Sequence, residues 1–97
     1  MSTIVVLEVK AKPGTGDSLV ALFKEILPDT RSYDGCISLD FIQNQDDPDT
    51  LIAYEVWETR EHYEKYFQWR VETGAIATLE PLIEGPPVIR YFNMTDA

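Results

Sequence analysis

Glu55 and Trp57 stand two residues apart in an alternating run, so both side chains leave the same strand face. Just beyond them come Tyr63, Tyr66, Phe67 and Trp69. Together with Trp57 these form an aromatic cluster where a strand gives way to a helix. Such a cluster can make a flat apolar pocket that stacks an aromatic ring and excludes water. The competing reading for Tyr66 and Phe67 is ordinary core packing at helical spacing.

Two groups near this cluster can move a proton. His62 is the only histidine of the chain, and an imidazole can serve as a general base toward a phenolic proton. It directly precedes Tyr63, so the two side chains point about 100° apart on a helix. Exposure beside Arg60 and Glu61 is the simpler reading of His62. Glu55 is the second candidate base, and the alternative for it is an ion pair with Arg70 or Arg90. A buried carboxylate needs a partner, and Glu8 raises the same question.

Other groups carry less chemistry. Asp46, Asp47 and Asp49 lack the spacing of a calcium loop and read as a solvated turn. Gly14-Thr15-Gly16 lies between a strand and a helix, as a nucleotide loop would. Leu19 occupies the place of the third glycine, and no phosphate-binding lysine follows. Cys36 has no charged activator nearby in sequence and reads as an inert, half-buried thiol. One histidine assembles neither a serine triad nor, without well-placed carboxylates, a metal site. No metal is expected.

The elements that must position these residues follow from the apolar pattern. Thr3 to Lys10 is β-branched and reads as a strand, with Val5, Leu7 and Val9 on one face. Pro13-Gly14 breaks it. Asp17 is a plausible N-cap for a helix whose stripe is Leu19, Leu22, Phe23, Ile26 and Leu27. Pro28 should tighten this helix, which fades near Ser32. Cys36 to Gln43 reads as a strand with Ile37, Leu39 and Phe41 on one face. The turn Asn44 to Asp49 joins it to the strand Thr50 to Glu58 as an antiparallel hairpin.

Thr59 can cap a second helix, with Glu61 in its first turn and Tyr63, Tyr66, Phe67 and Val71 on one stripe. Gly74 stops it. A short helical piece over Ile76 to Ile83 is interrupted by Pro81. Val88 to Asn93 is the last strand. The order β-α-β-β-α-β is the ferredoxin-like motif: an α+β fold with a four-stranded antiparallel sheet and both helices on one face. The reading is one domain over residues 1–97, with its core at about 3–93.

Composition bounds the partners. Hydrophobic residues make up 44% and charged residues 26%, which is globular rather than disordered. The net charge of −9, with only eight scattered Lys and Arg, argues against nucleic acid and anionic membranes. A lone cysteine allows no intrachain disulfide, and Ile4–Leu7 is too short for a signal peptide or a span, so a cytoplasmic protein is expected.

A domain of this size buries only roughly 60–65% of its unfolded surface. The sheet face without helices is also partly apolar. Ile4, Val6, Ile42, Leu51, Ala53 and Trp57, or their opposite-parity neighbours, must lie there. A second copy packed face to face would bury it, so a homodimer with a shared barrel-like core is expected.

Four local patterns combine into a family likeness: Val9-Lys10-Ala11-Lys12-Pro13-Gly14, Asp34-Gly35-Cys36, Tyr54-Glu55-Val56-Trp57-Glu58 and Gly85-Pro86-Pro87. In this order and spacing, from about Thr3 to Phe92, the chain resembles the antibiotic biosynthesis monooxygenase family, which includes quinol monooxygenase-like proteins. The resemblance implies a dimeric α+β barrel. It also implies oxygenation of a small quinol or phenolic substrate without a cofactor.

The family's Trp is matched by Trp57, and its Tyr six residues later by Tyr63. The Asn that founding polyketide oxygenases carry four residues before the Trp is Ala53 here. The His found nine or ten residues after the Trp in many members is replaced by Tyr66 and Phe67. The Asn that haem-degrading members carry in the first strand is absent from Thr3 to Lys10, which argues against haem.

The resulting assignment gives Trp57, Tyr63, Tyr66 and Phe67 to substrate binding, and His62, Glu55 and Tyr63 to catalysis. The alternative is a non-catalytic dimeric protein of the same fold that binds a small apolar ligand or serves in a stress response. An isomerase or decarboxylase on this fold is a third reading, and it would consume no oxygen.

Overall fold

Thr3–Lys10 (β1) is the hub of the sheet, because its β-branched residues are apolar on both faces. It pairs antiparallel with Thr50–Trp57 (β3) on one side and with Val88–Asn93 (β4) on the other. Cys36–Gln43 (β2) adds to the far edge of β3, giving the order β2-β3-β1-β4. Gly16–Arg31 (α1) joins β1 to β2, and Arg60–Glu72 (α2) follows β3. A five-residue helix, Ala75–Leu79 (α3), and a 3-10 turn, Glu80–Leu82, lead into β4. This is the expected β-α-β-β-α-β arrangement, seen in a computed structural model that describes residues 2–97; Met1 lies outside it.

The helices cover one sheet face, and the core beneath them has two halves. The aliphatic half gathers Leu7, Val9, Leu19, Phe23, Leu27, Leu39, Leu51 and Leu79. Phe23 stacks on Phe41 with ring centroids 4.2 Å apart. The aromatic half gathers Val5, Trp57, Tyr63 and Tyr66, flanked by Tyr33, Phe67, Trp69 and Tyr91. Trp57 therefore lies under the helices. The opposite face carries Ile4, Val6, Ile52, Tyr54, Val56, Ile42, Val88 and Phe92. Ile42, Tyr54 and Phe92 are 52%, 42% and 47% exposed.

Four local expectations change. Thr15, not Asp17, is the N-cap of α1, and its side chain accepts none of the helix's N–H groups. The capping acceptor comes from across the fold: Asp49 accepts the Gly16 N–H at 2.9 Å and the Gly14 N–H at 3.0 Å. Asp49 is thus more than a solvated turn residue. Gly16 is required there, because a Cβ would fall 2.2 Å from the Pro48 carbonyl oxygen. A bulge between Cys36 and Ser38 takes Ile37 off the Leu39–Phe41 face and leaves it 55% exposed. On α2 the buried stripe ends in Arg70, while Val71 is exposed.

Other punctuation holds. Thr59 caps α2 by accepting the His62 N–H, Gly74 takes the left-handed conformation just past its end, and α1 carries Pro28 within its last turns.

The Asp49 contact is open to test. Asp49→Ala should destabilise the fold by about 1–2 kcal/mol in urea denaturation, the scale of a lost helix cap. Asp46→Ala, in the same turn but exposed, should stay within about 0.5 kcal/mol of the parent.

Candidate active site

Between the two halves of the core lies a cavity of about 40 Å³. Glu55, Tyr63, Tyr66, Phe67 and Arg70 line its polar and aromatic side. Leu7, Leu39, Ala53, Ile76 and Leu79 are among the residues that line the rest. It has room for roughly three waters. That is room for dioxygen but not for an aromatic ring. Ala53 helps to leave the space open, since it is the smallest side chain on that stretch of β3 and is itself buried.

Glu55 is 3% exposed, and among the described residues its one hydrogen-bond donor is the indole of Trp57, whose Nε1 gives its hydrogen to Oε1 at 3.0 Å. The two side chains meet because residues i and i+2 of a strand share a face. Burial raises the Glu55 carboxyl from its ordinary 4.5 to about 7, and the Trp57 bond only partly offsets this. Neither expected ion pair forms: among the described residues Glu55 has no salt bridge. Arg90 is paired in register with Val6 and so lies on the open face.

Arg70 is also buried, at 7% exposure, and among the described residues it too has no carboxylate partner. Its guanidinium is held by neutral groups. Nε donates to the Tyr66 hydroxyl at 2.9 Å, and Nη2 donates to Thr30 Oγ1 and to the Ile26 carbonyl, both at 2.8 Å. The Thr30 and Tyr66 hydroxyls bond each other at 2.7 Å. The faces of Trp69 and Tyr66 lie 4.7 and 5.4 Å from the guanidinium carbon. This network ties α1 to α2.

Burial is the main cause that raises the Tyr63 and Tyr66 hydroxyls, so both stay protonated and can donate. Burial also lifts the Cys36 thiol to about 11, leaving it unreactive.

Of the residues singled out in the sequence, Glu55, Tyr63, Tyr66 and Phe67 line the cavity. Trp57 is wholly buried and stands behind that lining, against Glu55, Tyr63 and Tyr66. His62 lies elsewhere, with its ring over Gly35. Sequence reasoning missed Thr30 and Tyr33. Thr30 does continue the α1 stripe three residues past Leu27, a polar residue at a core position. Tyr33 packs its ring within 5.2 Å of both Tyr66 and Trp69.

The fold and site define a ferredoxin-like α+β domain with a buried acid over a small aromatic-lined cavity. The model of the antibiotic biosynthesis monooxygenase family matches residues 2–70, and the chain belongs to that family. An uncharacterized protein of Synechocystis sp. is 24% identical over 93 residues, which is 96% of this chain. The chain spans only 63% of that relative's length.

Among solved structures, a protein of Chloroflexus aurantiacus J-10-fl that carries the same family name is 26% identical. It superposes with a TM-score of 0.78 over 100% of this chain and 96% of its own. A conserved protein of Methanosarcina mazei Go1 is 18% identical, with a TM-score of 0.85 over 98% of this chain and 94% of its own, a likeness of fold.

The Glu55 environment predicts a pH dependence of stability. A carboxyl whose folded pKa lies above its unfolded value binds its proton more tightly in the folded state. Stability should therefore be greatest below about 4.5 as far as this group goes, fall as pH rises through about 7, and level off above. The full loss is on the order of 3 kcal/mol. Urea midpoints of the parent minus those of Glu55→Gln, measured across this range, should trace that fall; a flat difference would contradict the buried placement of Glu55.

Proposed function

We propose that this chain is a cofactor-independent monooxygenase acting on a small quinol or phenol, with Glu55 as its base. The observation that carries the reading is a buried carboxyl, titrating at about 7, on the wall of a cavity that also holds two phenols and a guanidinium. Membership of the family supports the reaction class.

In the proposed reaction the Glu55 carboxylate takes the hydroxyl proton of the substrate. The resulting phenolate is electron-rich and passes one electron to dioxygen. The two radicals join at a ring carbon to give a peroxide. Loss of the ring hydrogen as a proton, with cleavage of the O–O bond, leaves a carbonyl and releases water. Overall, the ring C–H, the hydroxyl O–H and O2 become two C=O groups and H2O; the departing hydroxide takes back the proton held by Glu55, and the substrate supplies all four electrons. Arg70, with the Tyr63 and Tyr66 hydroxyls, would stabilise the anionic oxygen species in a site of low dielectric. Trp57 keeps Glu55 aimed. Phe67 and Tyr63 would stack on the ring once Ile76 and its short helix α3 yield space.

Oxygen uptake with chemically reduced quinols and polyphenols, without added cofactor, tests this. Saturable uptake above autoxidation is expected. Glu55→Gln should lower kcat/KM by at least about 100-fold, and the parent's kcat/KM should rise with pH through about 7. The tightness of the cavity favours a second reading, a binder of small apolar ligands. Uptake no faster than background, together with ligand-induced thermal stabilisation, would decide for it.

We also infer that two copies pair through the open sheet face, where Ile42, Tyr54 and Phe92 would leave water. Light scattering at micromolar concentration should give twice the chain mass, and Tyr54→Glu should reduce it to one. A parent that scatters as a monomer would remove this inference.

A further inference from the structure

A second cluster of chemistry-bearing side chains sits at the N-terminal end of α2, outside the cavity. Asp34 precedes β2, Glu58 follows β3, and His62 lies in the first turn of α2. One ligand atom from each lies within 4.8 Å of the other two, and His62 Nε2 is 3.9 Å from Asp34 Oδ2. A tetrahedral ion with bonds of about 2.1 Å sets its ligands about 3.4 Å apart. Asp34 and Glu58 are exposed, so small side-chain rotations close the difference.

The imidazole is held in place rather than free. Its Nδ1 lies 2.6 Å from Thr59 Oγ1, the same hydroxyl that accepts the His62 backbone N–H at 3.1 Å. Coordination through Nε2 needs the hydrogen on Nδ1, and Thr59 is there to accept it, as outer-shell partners of metal-bound histidines do. The ring also lies against Gly35, whose φ is +91°; a Cβ there would fall 2.4 Å from His62 Cγ. The Glu58 N–H donates to the Gly35 carbonyl at 2.8 Å, which fastens the segments bearing Asp34 and Glu58 to each other.

Charge points the same way. Among the described residues neither carboxylate has a Lys or Arg partner. The nearby Arg60 is engaged by Glu64 and by the face of Tyr91. The chain as a whole carries −9 and attracts cations.

We propose that Asp34, Glu58 and His62 form a binding site for a divalent first-row transition ion such as zinc. One imidazole nitrogen with two carboxylate oxygens suits that class better than calcium or magnesium, which prefer all-oxygen sites. The ion would join three elements at one point. It would brace α2, the helix that carries Tyr63, Tyr66, Phe67 and Arg70, without touching the cavity.

Calorimetric titration of the untagged, chelator-treated protein with zinc alone tests the site. One ion per chain should bind, with a rise in melting temperature. His62→Ala should weaken binding by at least about tenfold, and Asp34→Asn with Glu58→Gln should do the same, since even an outer-shell partner carries that much. Circular dichroism would show that these surface variants stay folded. Cobalt(II) should give a visible absorption band in the parent and lose it in both variants. No saturable binding, or binding that survives loss of both carboxylates, would overturn the proposal, since the latter would mark a lone histidine or the Cys36 thiol as the ligand.

Discussion

Desolvation of one carboxyl group is the constraint around which this molecule is arranged. Glu55 lies on the central face of the sheet beneath the helices, where a charged group without compensation is costly. A single indole N–H answers it, so the group settles toward its neutral form rather than being paired away. Trp57 must therefore be buried at the end of β3. Its size in turn recruits the tyrosines of α2 and Tyr33 to pack around it. The aromatic half of the core is the consequence of seating that indole, and the aliphatic half closes the rest of the sheet.

Arg70 poses the mirror problem and is met by a different device. Two hydroxyls, a helix carbonyl and two ring faces hold the guanidinium, and those hydroxyls come from different helices. An acid and a base thus line one small void without pairing. For stability alone this is a poor arrangement, because apolar side chains of similar volume would cost less. Groups kept apart and underused in a folded interior are the usual mark of a site whose partner arrives from outside.

Most of the architecture was legible because it rests on local signals. The β-branched run of β1, the Thr59 cap and the Gly74 stop each act within a few residues. The shared face of Glu55 and Trp57 follows from strand geometry alone. What escaped is non-local or depends on counting only apolar residues. Asp49 caps a helix 33 positions away in sequence, so no window along the chain reveals it. The bulge at Ile37 shifts one residue of an otherwise regular alternation. Arg70 occupies a core position that a search for apolar periodicity passes over. The expected Glu55–Arg70 ion pair followed from electrostatics without the intervening volume, and a cavity is a property of packing that no residue carries by itself.

The direct contact between the Trp57 indole and the Glu55 carboxyl also makes the protein its own indicator. Ionising a group 3.0 Å from the indole nitrogen changes the electric field on that chromophore. The absorption and emission of a fully buried tryptophan must then shift with the charge on Glu55. Trp69 is the only other tryptophan and is only partly buried. With its contribution removed by substitution, the protonation of the acid at the centre of the site becomes a colour that can be followed through a titration or during a single encounter with a ligand.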